Sequence, residues 1–441
     1  YRSLKIVDEL CEGCHRCMRN CTTHAIRIRN GLPRLIEDRC IDCGECVRTC
    51  QVGAIVARTS PFIDLARYEY LLAVVGPELL VQFKRDVGSQ DVAIALHGLG
   101  FDAVVELDRA FEANLLYLSK LLLDPSTLRP IISSDCPTVV RLIQTLHPEL
   151  IENLIRLKPP RETTAERAKR EVMLNTGIPK HLIGAVYLSP CTARIIDIES
   201  SRSKTSSAID AIIPVADIYS DILTALSKLR RQGALTGESS SSISSGQAIL
   251  GGQSRSLRRL TNAMQHRNNS PKKTSINFVP IAQIHSIQHI FEEAEKGRLQ
   301  NVDFLECYTC PEGCVGGSLM VDNPYVSRSK AVDLLRQLPS PEDSINWELA
   351  EDDLAEDSFK QASDVVHTPV SPLDPDFRRS IKKLGEREDL LKTMPGIDCG
   401  ACGAPSCASL ADDIVRDIAD IKDCVVMQVK ARDKQTGEKW S

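Results

Sequence analysis

"NVDFLECYTCPEGCVGG", residues 301–317, runs from a short apolar stretch into a loop that carries three cysteines and a Gly-Gly pair. An apolar run of this length, followed by Pro and Gly, reads as a buried strand with a ligand-bearing loop at its end. "YLLAVVGPELLVQF", "FDAVVEL", "RPIISSDCP" and "IGAVYLSPC" have the same form. Between them lie the helical stretches "RAFEANLLYLSKLLL", "TVVRLIQTLHPELIENLIRL" and "PVADIYSDILTALSKLR". Strands alternating with helices predict an α/β core with largely parallel sheets, whose sites form at the carboxyl ends of the strands. The isolated cysteines sit at those ends: Cys136 after "IISSD", Cys191 after "AVYLSP", and Cys310 and Cys314 after "VDFLECYT".

The rest of the chain sets the bounds. At 441 residues it exceeds the roughly 250 to 300 at which a single core stops growing, so two to four domains are expected. The net charge is −5 and both signs are spread along the chain, which argues against a nucleic-acid partner. No run approaches the roughly 18 to 20 apolar residues of a membrane span, and the first residues lack a signal-peptide core, so no membrane insertion and a cytoplasmic location are expected. The chain begins with Tyr1 rather than Met, which leaves room for an upstream segment. Its 17 cysteines fall mostly in CxxC units within a long chain lacking an export signal. Metal ligation in a reducing compartment therefore fits better than a disulfide framework.

Near the start, "CEGCHRCMRNC" supplies Cys11, Cys14, Cys17 and Cys21, and "CIDCGECVRTC" repeats the spacing with Cys40, Cys43, Cys46 and Cys50. This doubled C-x2-C-x2-C-x3-C run is the two-cluster bacterial ferredoxin signature, in which the fourth cysteine of each run ligates the other cluster. By that rule Cys50 joins Cys11, Cys14 and Cys17, and Cys21 joins Cys40, Cys43 and Cys46. Zinc sites pair two CxxC units rather than running four cysteines together, which disfavours zinc. Thr22 and Gln51 stand where such runs usually carry Pro. Near the other end, "GIDCGACGAPSCASLADDIVRDIADIKDC" gives Cys399, Cys402, Cys407 and Cys424, with Leu410, Ile414, Ile418 and Ile421 at helical spacing. The pattern predicts a Gly-rich ligand loop, an amphipathic helix and a returning ligand. It resembles the small four-cysteine iron-sulfur domain of redox complexes, with a structural zinc as the competing reading.

"SSDCP", "SPCTAR" and "ECYTCPEGCVGG", in that order, resemble the three cysteine motifs around the active-site cluster of [FeFe]-hydrogenases, and "DNPYVSRSKA" after the third extends the match. The resemblance covers residues 61 to about 335. It implies that Cys136, Cys191, Cys310 and Cys314 hold a cubane, and that Cys314 bridges to a diiron subsite if one is present. Those four bring the assigned thiolates to sixteen and leave Cys307 as the spare, which reads as a small buried hydrophobe.

The sequence departs from the family in the pocket of that subsite. Where the family has a proton-relaying cysteine this chain has Asp135, and where it has a cyanide-donating lysine it has Arg194. Ser189 and Tyr308 stand at the places of two methionines, while Glu312 and Glu78 add acids. A carboxyl buried beside an anionic cluster has a raised pKa, and a planar guanidinium is not aimed like an ammonium. The cubane ligands are kept while the relay, the cyanide donor and the packing residues change. The expectation is an iron-sulfur redox protein relaying electrons through four [4Fe-4S] clusters, its diiron subsite lost or altered. The alternative is a catalytic or sensory [FeFe]-hydrogenase with a complete H-cluster, in which Asp135 and Arg194 are the catalytic residues.

The expected organisation is a two-cluster ferredoxin domain over 1–57 and a hydrogenase-like domain over 61–338. An acidic, Pro-containing linker over 339–385 follows, and a C-terminal [4Fe-4S] domain spans 386–430. The fold class is thus an α/β hydrogenase-like core with an N-terminal ferredoxin-like α+β module and a small C-terminal helical iron-sulfur domain. Residues 236–256 are Ser- and Gly-rich and read as a surface linker or flexible insertion. Residues 342–357 carry eight acids and no base, which reads as a solvated tether. No GxGxxG or Walker loop appears. Electrons are therefore expected from a redox partner, either a ferredoxin or a flavin- or NAD-binding subunit.

Overall fold

The computed structural model describes residues 3–59, 62–155, 157–204, 207–238, 243–267, 275–337 and 365–436. The acidic run at 342–357 lies outside them. Contacts divide the chain into two compact units. The smaller contains Leu4–Ile41, Glu45–Val56 and the chain from Thr368 onward; the larger contains Asp42–Gly44 and Ala57–His367. No described helix is long and apolar enough to cross a membrane.

In the smaller unit, β1 (Leu4–Ile6) pairs with β4 (Ile55–Ala57), and β2 (Ile26–Arg29) forms an antiparallel hairpin with β3 (Leu32–Leu35), Ile26 facing Leu35. One-turn helices at Arg16–Arg19 and Glu45–Thr49 follow the two cysteine loops. Met18, Ala25, Ile26, Ile28 and Ile55 fill the space between them. The same unit contains the C-terminal helices Phe377–Thr393, Cys407–Val415 and Val425–Thr436. The helical spacing of Leu410, Ile414, Ile418 and Ile421 predicts one continuous amphipathic helix, but the helix stops at Val415. Asp417 takes a left-handed φ of 61° and donates its N–H to Ile414, while Ile418 N–H reaches Asp413 O. This 6→1, 5→2 pattern closes the helix and turns Ile418 out to solvent.

In the larger unit, β5 (Tyr70–Val75), β6 (Ala103–Glu106), β8 (Ile183–Ser189) and β9 (Ala211–Pro214) form a parallel sheet in the order β6-β5-β8-β9. A second parallel sheet has the order β10-β11-β7, with β7 at Ile131–Ile132, β10 at Phe278–Ala282 and β11 at Phe304–Tyr308. Every residue of β8 and β11 is buried, as strands covered on both faces require. The predicted α/β architecture is what the chain adopts. One predicted helix is broken: "TVVRLIQTLHPELIENLIRL" is an α-helix only to Leu146, because Pro148 lacks the N–H to continue it and a 3-10 turn over Pro148–Asn153 follows.

The Ser/Gly-rich stretch also differs from its reading as a loose linker. Its described part contains a 3-10 turn at Ile243–Ala248 and the start of a helix at Gly252–Arg267, with Gln247, Ala248, Ile249 and Gln253 buried. The carboxylate of Glu306, on β11, accepts from Gly251 N at 3.0 Å and Ser254 N at 2.8 Å, capping that helix from inside the core.

Candidate functional site

The ends of β7, β8 and β11 converge on one small recess. Cys136, Cys191, Cys310 and Cys314 line it, with Asp135, Arg194, Tyr308 and Thr309. Each cysteine is placed by a strand-to-helix junction. Cys136 is the residue before the helix at Pro137–Leu146, Cys191 precedes the helix at Thr192–Lys204, and Cys314 opens a single 3-10 turn. Pro137 suits the first helical position because its missing N–H is not needed there. Cys43, on the Asp42–Gly44 loop, also faces this recess.

Burial governs the chemistry of these groups. It pushes the Cys191 thiol up to about 12 and Cys314 well above the ordinary thiol range, with Arg194 pulling the other way and neighbouring cysteines adding to the rise. Among the described residues, no group of three or more His, Cys, Asp or Glu could hold a single metal ion. Four cysteines lining one recess are a donor set that suits a multi-iron cluster with thiolate corners. Arg194 Nη2 donates to Cys314 Sγ at 3.3 Å, and Cys136 Sγ lies 3.5 Å from Thr309 Oγ1. Both partners suit sulfurs that carry negative charge.

Arg194 does more than face the recess. Its Nη1 donates to Glu78 Oε1 at 2.6 Å and to Tyr187 Oη at 2.5 Å, and all three side chains are buried. Burial opposes its charge, but Tyr187, Cys314 and Glu78 more than offset that and leave it firmly cationic. Asp135 Oδ2 accepts from Gln253 Nε2 at 2.8 Å, and burial raises its carboxyl above the usual range against the pull of Arg194. Tyr308 is buried and donates to Gln247 O at 2.9 Å. Glu312 is bound by Arg328, so its charge is compensated. Cys307 is buried within β11 opposite Ile281, and burial pushes its thiol up. Glu78 and Arg194 are conspicuous in sequence as separate changes; their pairing across 116 residues and the participation of Tyr187 and Gln253 are not.

The smaller unit gathers cysteines differently. Cys17 is raised to about 11 by burial, and Cys11, Cys14 and Cys50 lie close enough to add to that rise. Cys21, Cys40 and Cys46 share the small apolar core, whereas Cys43 belongs to the larger unit. Ala25 N donates to Cys21 Sγ and Ala54 N to Cys50 Sγ, both at 3.2 Å, so the two repeats aim the same backbone donor at their fourth sulfur. In the C-terminal module, burial raises Cys402, with Cys424 and Cys399 contributing. Cys407 N donates to Asp398 Oδ1 at 2.6 Å, tying the two ends of the ligand loop. Amides aimed at sulfurs fit an anionic cluster better than neutral thiols.

Comparison with known proteins places residues 69–318 in the family described as iron only hydrogenase large subunit, C-terminal domain. Residues 10–55 match a 4Fe-4S dicluster domain, and residues 394–426 match an Fe-S cluster family. A cytosolic Fe-S cluster assembly factor, nar1 of Emericella nidulans, is 30% identical over 117 residues, which are 25% of this chain and 20% of that protein. The NADP-reducing hydrogenase subunit HndD of Solidesulfovibrio fructosivorans is 22% identical over 200 residues, 43% of this chain and 31% of that protein. The chain thus spans under a third of the length of either relative. A solved [FeFe]-hydrogenase from Chlamydomonas reinhardtii aligns with a TM-score of 0.49 and 16% identity, over 70% of this chain and 98% of that one.

Proposed function

The chain belongs to the iron-only hydrogenase large-subunit family and is an iron-sulfur protein, and from that premise we propose that it relays electrons through four [4Fe-4S] clusters without a working diiron subsite. Cys136, Cys191, Cys310 and Cys314 hold the core cluster. Cys11, Cys14, Cys17 and Cys50 hold a second, Cys21, Cys40 and Cys46 a third with Cys43 joined to them by the spacing rule alone, and Cys399, Cys402, Cys407 and Cys424 a fourth. Clusters of this kind supply reversible one-electron chemistry over roughly −700 to +450 mV.

The observation that carries this reading is the state of Arg194. The donor that the family resemblance assigns to a cyanide ligand is held by Glu78, Tyr187 and the Cys314 sulfur. Glu78 sets a buried negative charge against that donor. Tyr308, fixed by its bond to Gln247, stands where the resemblance implies a soft methionine. What these residues do is neutralise and desolvate a thiolate-rich recess, which is the task of an electron-transfer site. The assembly factor among the relatives bears a name without hydrogenase activity, so likeness to this family does not by itself bring hydrogen chemistry. HndD is named as a subunit, which supports a separate redox partner here, a ferredoxin or a flavin- or NAD-binding subunit.

A catalytic or sensory hydrogenase is the second reading, and Asp135 favours it. Its carboxyl, raised in pKa by burial at the recess wall, would be the proton relay of that reading, with Arg194 as the donor and Cys314 among the residues that would hold the diiron subsite. Infrared spectroscopy on protein matured anaerobically in its native host separates the two. The relay reading expects about sixteen iron and sixteen sulfide per chain and no CO or cyanide stretching bands. Clear bands would overturn it in favour of the hydrogenase. Cys310→Ser is expected to lose about four of those irons, and Cys307→Ser none.

A further inference from the structure

Read in order along the chain, the four-cysteine tail is the element most distant from the N-terminal clusters. The fold reverses that order, because the tail shares a compact unit with them. Ile28 N, on β2, donates to Gly403 O at 2.7 Å. Gly403 has a φ of +78°, and an added Cβ would stand 2.2 Å from Ile28 O, so only glycine permits this approach. The contact is clamped by charge. Asp413 is buried and accepts from Arg27 Nε at 2.6 Å and Arg29 Nη2 at 2.5 Å. Asp412 accepts from Arg39 Nη2 at 2.9 Å and is also bound by Arg387.

The clamp brings two ligand loops together. Met18, which follows Cys17, is fully buried, and its methyl carbon would lie 3.0 Å from a Cβ built on Gly400. Gly400 follows Cys399 in the C-terminal ligand loop, and Arg19 Nη2 reaches Cys399 O at 3.5 Å. The Cys17-Met18-Arg19 segment thus meets the Cys399-Gly400 segment through the side chains of Met18 and Arg19.

We propose that the cluster of the C-terminal module exchanges electrons directly with the cluster held by Cys11, Cys14, Cys17 and Cys50, across the Met18–Gly400 contact. This rests on the reading that both cysteine sets hold [4Fe-4S] clusters. In the step, one cluster loses one electron as the other gains it, and no bond or proton changes hands. The tail is then a terminal of the wire on the ferredoxin-like side, with Cys14 and Cys399 exposed to solvent.

The experiment is electron paramagnetic resonance on the full chain, reduced and iron-loaded, with metal analysis of every sample. Cys402→Ser should lose four irons, and the remaining ferredoxin-type signal should sharpen and saturate at severalfold lower microwave power, since a nearby fast-relaxing spin has gone. Asp413→Lys sets a third cation beside Arg27 and Arg29 while leaving every thiolate in place. It should retain wild-type iron and show the same drop in saturation power. Four irons lost from Cys402→Ser with unchanged saturation overturns the coupling alone, as does wild-type saturation in iron-replete Asp413→Lys. Wild-type iron in Cys402→Ser overturns the C-terminal cluster itself, and with it the reading on which the coupling depends.

Discussion

The recess of the larger unit and the module contact of the smaller one solve the same electrostatic problem in opposite ways. In the recess, cation and anion are both inside: Arg194 and Glu78 have side chains 8% and 2% exposed, and they neutralise each other beside the Cys314 sulfur. At the module contact, Asp413 is 3% exposed but one of its two cations, Arg29, is 27% exposed. The first arrangement places a compensated ion pair in the wall of the recess. The second joins two pieces of chain. A buried pair costs desolvation on both partners and is weak evidence of net stability, so the Glu78–Arg194 pair bears on the charge of the recess more than on the stability of the fold.

Substitutions sharpen that contrast. The largest loss is expected from Arg194→Ala, about 5 kcal/mol, because Glu78 is left as an uncompensated buried anion. Urea denaturation of the iron-loaded chain would measure it, and Glu78→Ala in the same chain should restore part of the loss. If the single variant lost almost nothing, the recess would be wetter than described and the contrast would fail. Asp413→Ala should cost less, about 3 kcal/mol, since Arg29 can turn to solvent; thermal unfolding, together with faster hydrogen exchange at the Ile28 amide, would register it. Tyr308→Phe removes only the bond to Gln247 O and should cost about 1 kcal/mol, with iron content unchanged. Arg34→Ala breaks an ion pair with Asp8 whose side chains are 50% and 43% exposed, and should fall within about 1 kcal/mol of wild type. A larger effect there would mean that surface pairs of the smaller unit are not the weak group this comparison takes them to be.

What was legible in the sequence followed from local spacing. The doubled cysteine runs are read within eleven residues, and the apolar strands ending in "SSDCP", "SPC" and "ECYTC" announce an α/β core without any long-range knowledge. Helix ends were less legible. Pro148 inside "QTLHPELI" is a visible stop, but the turn at Asp417 depends on a left-handed aspartate that apolar periodicity cannot reveal. The Ser/Gly-rich stretch misled because composition reports only on propensity, while Glu306 and Tyr308 supply partners from a distant strand. Partnerships were the least legible. Glu78 with Arg194, Arg27 with Asp413 and Met18 against Gly400 each join residues more than a hundred positions apart, and nothing local marks one as the mate of the other.

Cys14 and Cys399 are exposed, whereas Cys310 is buried. Oxidation of a thiolate follows its exposure as well as its charge. Air should therefore attack the clusters that Cys14 and Cys399 would hold before the one that Cys310 would hold, and partly damaged samples would keep the iron of the larger unit longest.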